Sequence, residues 1–265
     1  MDAEEMRSRA TSYGAVAEAY ADYRPGYPDE AVRWLVGTSP GRLLELGSGT
    51  GKLSAGLCAI GHDVIASDPL VDMLKQLRRA APAARPVIAR AERIPMPSSS
   101  VDVVVAAQCF HWFDQERALP EIARALRPGG VLALTWNEGD FKVPWVARVM
   151  ALIGLVPFDG GDPVEGSELF TTSEHRVFRH WQQFHRDSLM GFAGSSSVAA
   201  TLGAPERERL LAEVGAIYDG YGRGPDGMLM PWKTHCYRAR VTGLANLRRQ
   251  ESDDGYDDGL LIDFS

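Results

Sequence analysis

The sequence predicts an α/β fold with a mostly parallel sheet, and three observations predict it. Short apolar runs of strand length alternate with helix-length segments from residue 42 to residue 136. Such alternation places crossover helices on a parallel sheet. The first run, Leu43, Leu44 and Leu46, leads directly into glycines at 47, 49 and 51, a strand that turns sharply into a helix. Two later strand-like stretches, 176–186 and 228–240, are split by helical sequence, which suits a sheet that closes with an antiparallel strand.

The elements follow in order. A helix is expected over Thr11 to Asp22, then a turn at Arg24-Pro25-Gly26-Tyr27-Pro28, then a helix over Asp29 to Val36. Strand one is Arg42 to Leu46, and Lys52 to Ile60 is the helix after the glycine turn. Val64 to Ala66 is strand two, closed by Asp68-Pro69, with Leu70 and Met73 on the helix that follows. Val87 to Ala89 is strand three and Val101 to Ala106 strand four. Gln115 to Leu126 is a helix, and Arg127-Pro128-Gly129-Gly130 reads as its stop, since glycine reaches the positive φ of a helix C-terminus. Strand five is Val131 to Trp136. After Asn137 the pattern changes: helix 143–155, a glycine-bearing loop 158–167, a strand 176–186, a short helical insertion 188–202, a helix 205–218 and a last strand 228–240. The organisation is thus a lead segment 1–40, a core 41–137, a second part of the sheet with its insertion 138–250, and an acidic tail 251–265.

Glycines at a strand-to-helix turn let a ligand touch bare backbone, and the helix N–H groups point at it. The spacing excludes two ligands. A dinucleotide fingerprint needs its third glycine at position 52, which is Lys52, and a P-loop needs Ser or Thr after that lysine, where Leu53 stands. What remains, Glu45-x-Gly47-x-Gly49-x-Gly51, resembles motif I of the class I S-adenosylmethionine-dependent methyltransferases. The Tyr20…Arg24-Pro25…Tyr27-Pro28 lead, Ala91-Glu92 followed by Ile94-Pro95, and Gln108 to Asp114 after strand four are similar to the methyltransferase type 11 families. They lean toward the branch that contains trans-aconitate methyltransferase.

The resemblance implies a Rossmann-like seven-stranded sheet with helices on both faces, an antiparallel last strand, a helical insertion before it and an N-terminal lid helix. It implies S-adenosyl-L-methionine as cofactor. Glu45 suits the ammonium, and the backbone at Gly47, Ser48, Gly49 and Gly51 the carboxylate, of its methionine part. Asp68, about twenty residues on and followed by Pro69, is placed to hold the ribose diol. Met73 would cover adenine, Ala91 and Glu92 would lie near its amino group, and Gln108 would face the methionine part. Arg24 would pair a carboxylate from the lid. Tyr13, Tyr20 and Trp112 are candidates for the substrate side.

The chemistry needed is modest. A sulfonium methyl is already electrophilic, so the protein must align a nucleophile and exclude water. A base is required only if the nucleophile arrives protonated. His111, just past strand four, is the candidate base. Phe110, Trp112 and Phe113 are candidates to line the pocket, where an aromatic face attracts a sulfonium. Trp181, Phe184, Phe192, Trp232 and Tyr237 are aromatics of the later half that suit a pocket wall or core. His175, His180 and His185 recur at intervals of five, which alternates strand faces and gives no metal site.

A net charge of −7 argues against nucleic acid as partner. Cys58, Cys109 and Cys236 show neither pairing nor metal spacing, which fits a reducing cytoplasm. No apolar run approaches a membrane span. Only four lysines, Lys52, Lys75, Lys142 and Lys233, accompany many arginines and alanines, a bacterial composition. The expectation is a cytoplasmic monomer or homodimer that methylates a small-molecule acceptor, at a carboxylate or hydroxyl oxygen of a bacterial metabolite. A peptide or natural-product precursor is the alternative acceptor, and a non-catalytic cofactor-binding protein the alternative role.

Overall fold

The computed structural model describes residues 17–221 and 226–243. The expected substrate residue Tyr13, the first turns of the lead helix and the acidic tail lie outside them. The elements run α1 (Ala17–Tyr23), α2 (Asp29–Val36), β1 (Arg42–Leu46), α3 (Lys52–Ala59), β2 (Asp63–Ser67), α4 (Val71–Ala80), β3 (Arg85–Val87) and β4 (Val101–Ala107). A 3-10 turn (Phe110–Trp112) precedes α5 (Gln115–Ala125), β5 (Leu126–Gly139) and α6 (Pro144–Leu152). β6 (Glu174–Phe184), α7 (Arg186–Gly194), α8 (Ser197–Thr201), α9 (Ala204–Tyr221) and β7 (Met228–Arg240) are the remaining elements among the described residues.

The strands form one seven-stranded sheet in the order β3-β2-β1-β4-β5-β7-β6. β7 is antiparallel to both its neighbours, while β1 to β5 pair in parallel. β1 lies beside both β2 and β4, so the chain reverses its direction of travel across the sheet there. The crevice beyond such a switch point is where open α/β sheets bind ligands.

Side-chain alternation divides the core. Leu44, Leu46, Val104, Ala106 and Leu134 face one apolar layer, with Ile122 of α5 and Tyr237. Leu43, Val64, Val103, Val105 and Ala133 face the other, with Leu57 of α3 and Leu77 of α4. A third cluster packs α6, α7 and α9 against the far ends of β6 and β7 through Val149, Phe192, Val214 and Trp232. Burial at about 25 cal/mol per Å² of apolar surface makes these layers the main source of stability.

Three sequence expectations are corrected. Gly129 and Gly130 do not stop α5. The helix ends at Ala125 and Leu126 already pairs with Val101, while Val131 pairs with Val103, so Arg127 to Gly130 form an excursion inside the strand. Gly129, at φ 74°, makes that bend. Strand three lies two residues earlier than expected, because Arg85 to Val87 are the residues in register with Ile65 to Ser67. The insertion is two helices, and Ser196 begins the second by accepting the Ala199 N–H at its side chain.

Candidate active site

The turn after β1 gives its three glycines different tasks. Gly51 opens α3 at φ 84°, and a Cβ there would sit 3.0 Å from Leu77 Cγ and 3.1 Å from Leu77 Cα. Gly51 therefore serves the close approach of α3 and α4, and it borders neither cavity described below. Gly49, at φ 54°, has open space where a Cβ would be. Its N–H donates to Asp68 Oδ2 at 2.9 Å, and the Leu70 N–H donates to Asp68 Oδ1 at 2.8 Å. Burial raises the Asp68 pKa, and these two backbone donors oppose the rise. The acid expected to hold a ribose thus also braces the glycine turn across the β1–β2 crevice.

Beneath the lead segment is a small cavity of about 40 Å³, walled by Tyr20, Arg24, Tyr27, Glu45, Thr50 and Lys52 among others. Glu45 is 1% exposed and accepts from Ser54 Oγ. Burial pushes its carboxyl up to about 8, against the lowering effect of that hydrogen bond. Lys52 is pushed down by burial, opposed by Asp22. The Tyr27 hydroxyl is held well above its usual range by burial, with Tyr20 and Glu45 adding to it. Ser48 Oγ and Thr50 Oγ1 are buried with no hydrogen-bond partner among the described residues. Gln108 caps this floor in the left-handed region, at φ 61°, with Nε2 donating to Asn137 O at 3.1 Å.

Arg24 enters from the lid side. Its Nε donates to Ser195 Oγ at 3.1 Å and its Nη2 to Ser195 O at 3.3 Å. Its guanidinium lies 4.8 Å from the Phe192 ring and 5.3 Å from that of Tyr20. It therefore ties the lead segment to the insertion, at the border of both cavities.

The second cavity holds about 780 Å³ and shares Tyr20, Arg24, Gly47, Gly49, Ala107 and Gln108 with the first. One end is bordered by Asp68, Pro69, Leu70, Met73, Ala91 and Glu92, the other by Trp112, Trp136, Glu138, Phe141, Phe158 and Trp232. Glu92 is also tied down locally, because its Oε1 accepts the Asp114 N–H at the start of α5.

His111 faces this cavity from the turn after β4. Trp136 Nε1–H donates to His111 Nδ1 at 3.4 Å, so the neutral ring carries its proton on Nε2. The ring is open to the cavity yet crowded by protein around it, and that desolvation pushes its pKa down to about 4. At neutral pH His111 is an uncharged donor through Nε2–H and a weak base.

The comparisons with known proteins agree with this geometry. Residues 44–134 match the family model described as a methyltransferase domain. An uncharacterised methyltransferase of Mycobacterium tuberculosis is 38% identical over 241 residues, 89% of this chain and 98% of that relative. The chain belongs to the class I S-adenosylmethionine-dependent methyltransferases. This methyltransferase is also similar to a malonyl-[acyl-carrier protein] O-methyltransferase of Methylococcus capsulatus, 34% identical over 161 residues, 55% of this chain and 58% of that one. Among solved structures, a putative type II methyltransferase of Anaeromyxobacter dehalogenans superposes with a TM-score of 0.64 at 28% identity, covering 82% of this chain and 98% of that one.

The residues fit a methyl donor of this kind. The unpartnered hydroxyls of Ser48 and Thr50 lie beside Glu45 at the small cavity, a donor set for a carboxylate next to an acid for an ammonium. Open space at Gly49 leaves its backbone approachable. When bound, S-adenosylmethionine supplies an electrophilic methyl. The residues placed to hold it would be the cradle from Gly47 to Thr50, the acid pair Glu45 and Asp68, and Leu70 and Met73 as apolar cover.

Sequence reasoning missed several residues that border the cavities: Thr50, Lys52, Trp136, Asn137, Glu138 and Phe158. Thr50 and Lys52 lie within the motif and were legible by position. Of the expected aromatics, Trp112, Phe113 and Trp232 border the large cavity. Phe110, Phe184, Phe192 and Tyr237 are core, and Trp181 is 64% exposed. His175 stacks on His235 and Tyr237, while His180 stacks on Trp232. Among the described residues no three His, Cys, Asp or Glu side chains converge as metal ligands, and no helix is long and apolar enough to cross a membrane.

Proposed function

We propose that this methyltransferase transfers a methyl group from S-adenosylmethionine to a hydroxyl oxygen of a small, largely apolar metabolite. The observation that carries this reading is the second cavity. Its far end is walled by Trp112, Trp136, Phe141, Phe158 and Trp232, while Glu138 and Asp159 supply its charge. Among the described residues its side-chain cations are Arg24, already tied to Ser195, and Arg90, beside Ala91 at the opposite end. An aromatic wall with acids suits an uncharged hydroxyl-bearing compound and repels a carboxylate acceptor, so the tricarboxylate type of substrate is disfavoured. The relative named as a malonyl-[acyl-carrier protein] O-methyltransferase supports oxygen as the acceptor atom; a malonyl group offers that oxygen as a carboxylate, so the choice of a hydroxyl rests on the cavity wall alone. An acceptor held in line at such a wall reacts mainly through proximity and exclusion of water.

Calorimetry comes first: S-adenosylmethionine and S-adenosylhomocysteine should bind and NAD should not. Asp68→Ala should weaken binding roughly 10- to 100-fold, the range for lost hydrogen bonds to a charged group. S-adenosylhomocysteine release is then compared for matched phenols and aromatic carboxylic acids. Turnover of the phenols alone is expected. Turnover of the acids alone would overturn the hydroxyl assignment.

A further inference from the structure

Glu138 occupies a position that the sequence analysis gave no role. It borders the large cavity and its side chain is only 13% exposed. Two donors fix its carboxylate. Oε1 accepts the Phe158 N–H at 2.5 Å, and Oε2 lies 3.3 Å from His235 Nε2. His235 is fixed in turn, with Nδ1 at 3.4 Å from His175 Nε2 and its ring stacked on that of His175 at 5.5 Å. Phe158 is stacked on Trp136 at 5.5 Å, and Trp136 donates to His111. The carboxylate is therefore continuous with the aromatic wall.

We propose that Glu138 takes the proton of the acceptor hydroxyl during methyl transfer, with His235, backed by His175, as the positioning residue; this rests on the hydroxyl reading above. The acceptor oxygen forms its bond to the methyl carbon as the carbon–sulfur bond breaks, and that electron pair stays on sulfur. The oxygen becomes strongly acidic as it bonds, so its proton passes late to the Glu138 carboxylate, and a weak base suffices. The carboxylic acid then returns its proton to water when the product leaves.

His111 is less suited, because its Nδ1 lone pair faces the Trp136 N–H. Glu138 keeps a second lone pair on each oxygen. Lys233, opposite it in register, pairs with Asp140 at 2.8 Å, and Arg179 stands beyond Lys233. On the loop side, Asp159 and Asp162 lie toward Tyr237. Among the described residues, the His235 imidazole is the side chain that pairs with the carboxylate.

The test uses 4-nitrophenol, whose absorbance reports whether it is bound as phenol or phenolate, on the 265-residue chain complexed with S-adenosylhomocysteine. Calorimetry of S-adenosylhomocysteine serves as the control for fold. Near the free phenol's midpoint, wild type should bind the neutral phenol and Glu138→Gln the phenolate, a difference of at least roughly tenfold in the bound ratio. His235→Phe should blur that preference, and His235→Gln, which can still donate, should restore it. In turnover, Glu138→Gln should slow 4-methylphenol far more than 4-nitrophenol at a pH where the latter is ionised. An unchanged bound ratio in Glu138→Gln overturns the role of Glu138 and leaves the hydroxyl reading standing. Failure of any phenol to bind wild type overturns the hydroxyl reading, and this inference with it.

Discussion

The two ends of the large cavity are built by different means. The end placed to cradle the cofactor is made of backbone and short side chains within one strand–turn–helix and its neighbour. Gly47 to Thr50 and Asp68 fall at the C-terminal edge of β1 and β2, held by hydrogen bonds such as Gly49 N–H to Asp68 and Ser48 N–H to Ser67 O at 2.9 Å. The acceptor end is made of long side chains from segments far apart in sequence. Trp136 and Glu138 come from β5, Phe158 from the loop after α6, and His111 from the turn after β4. Local backbone geometry fixes a ligand class shared across a fold, while distant side chains meeting at one wall are free to vary with the acceptor.

The sharpest way to test this division is within the glycine turn, where one structure serves packing and another serves the ligand. Gly51→Ala places a Cβ against Leu77 at a backbone φ that alanine resists, and should destabilise the fold by about 2–4 kcal/mol. Gly49→Ala meets no protein atom. It should cost only about 1 kcal/mol of stability through its φ while filling space at the cavity edge. Denaturant melts and calorimetry in parallel should show Gly51→Ala lowering the midpoint with cofactor affinity kept. Gly49→Ala should weaken affinity roughly tenfold, about 1.4 kcal/mol, with the midpoint nearly kept. Equal affinity losses in the two variants would dissolve the distinction.

The same division explains what the sequence could convey. Glycine spacing, the acid before it and Asp68 some twenty residues later are local patterns, and the strand–helix alternation set the order of β1 to β5. Glu138 carries no such pattern. It reads as one polar residue between Asn137 and Gly139, and only the antiparallel pairing of β5 with β7 brings it beside His235, 97 residues later. Phe158 sits in a stretch that reads as loop, and its place on Trp136 follows from tertiary packing alone. The misread glycines at 129 and 130 have the same origin. Strand pairing with β4 captured Leu126 and overrode a sound local signal for a helix stop.

Glu45 offers a test of the cofactor end by pH. Its folded pKa is about 8 against an ordinary value of 4.5, raised chiefly by burial. Between those values the folded protein holds a proton that the unfolded chain has released. Stability from this group is therefore complete below pH 4.5 and declines as pH rises toward 8, by at most about 1.4 kcal/mol per pH unit. Glu45→Gln should flatten that decline, so the variant gains on wild type in urea melts as pH increases. Cofactor binding near pH 7 should release up to about one proton in wild type, since a cation beside Glu45 favours its ionised form, and none in Glu45→Gln. Calorimetry in buffers of different ionisation enthalpy reads the difference. Equal proton release would place the cofactor's ammonium away from Glu45.

The smallest expected effect belongs to His111, the residue that the sequence offers as the base. Its pKa of about 4, depressed by desolvation, keeps it neutral from about pH 5 upward. Ionisation of His111 therefore cannot shape a rate profile near neutrality. It affects stability only at acid pH, where it lowers it. Between 6.5 and 4 the unfolded chain binds the proton first, so stability falls as pH drops through that window. His111→Ala removes one neutral donor at the cavity wall and leaves the Trp136 N–H unmatched, which should lower kcat/KM roughly tenfold. The profile above pH 6 should keep its shape and cofactor affinity should hold. His111→Asn, which also offers an N–H, should recover part of the loss. A profile that loses a limb near neutrality in His111→Ala would instead make His111 the base and remove Glu138 from that role. Rate profiles of His111→Ala and Glu138→Gln, measured with the same phenol, decide between the two ends of the aromatic wall.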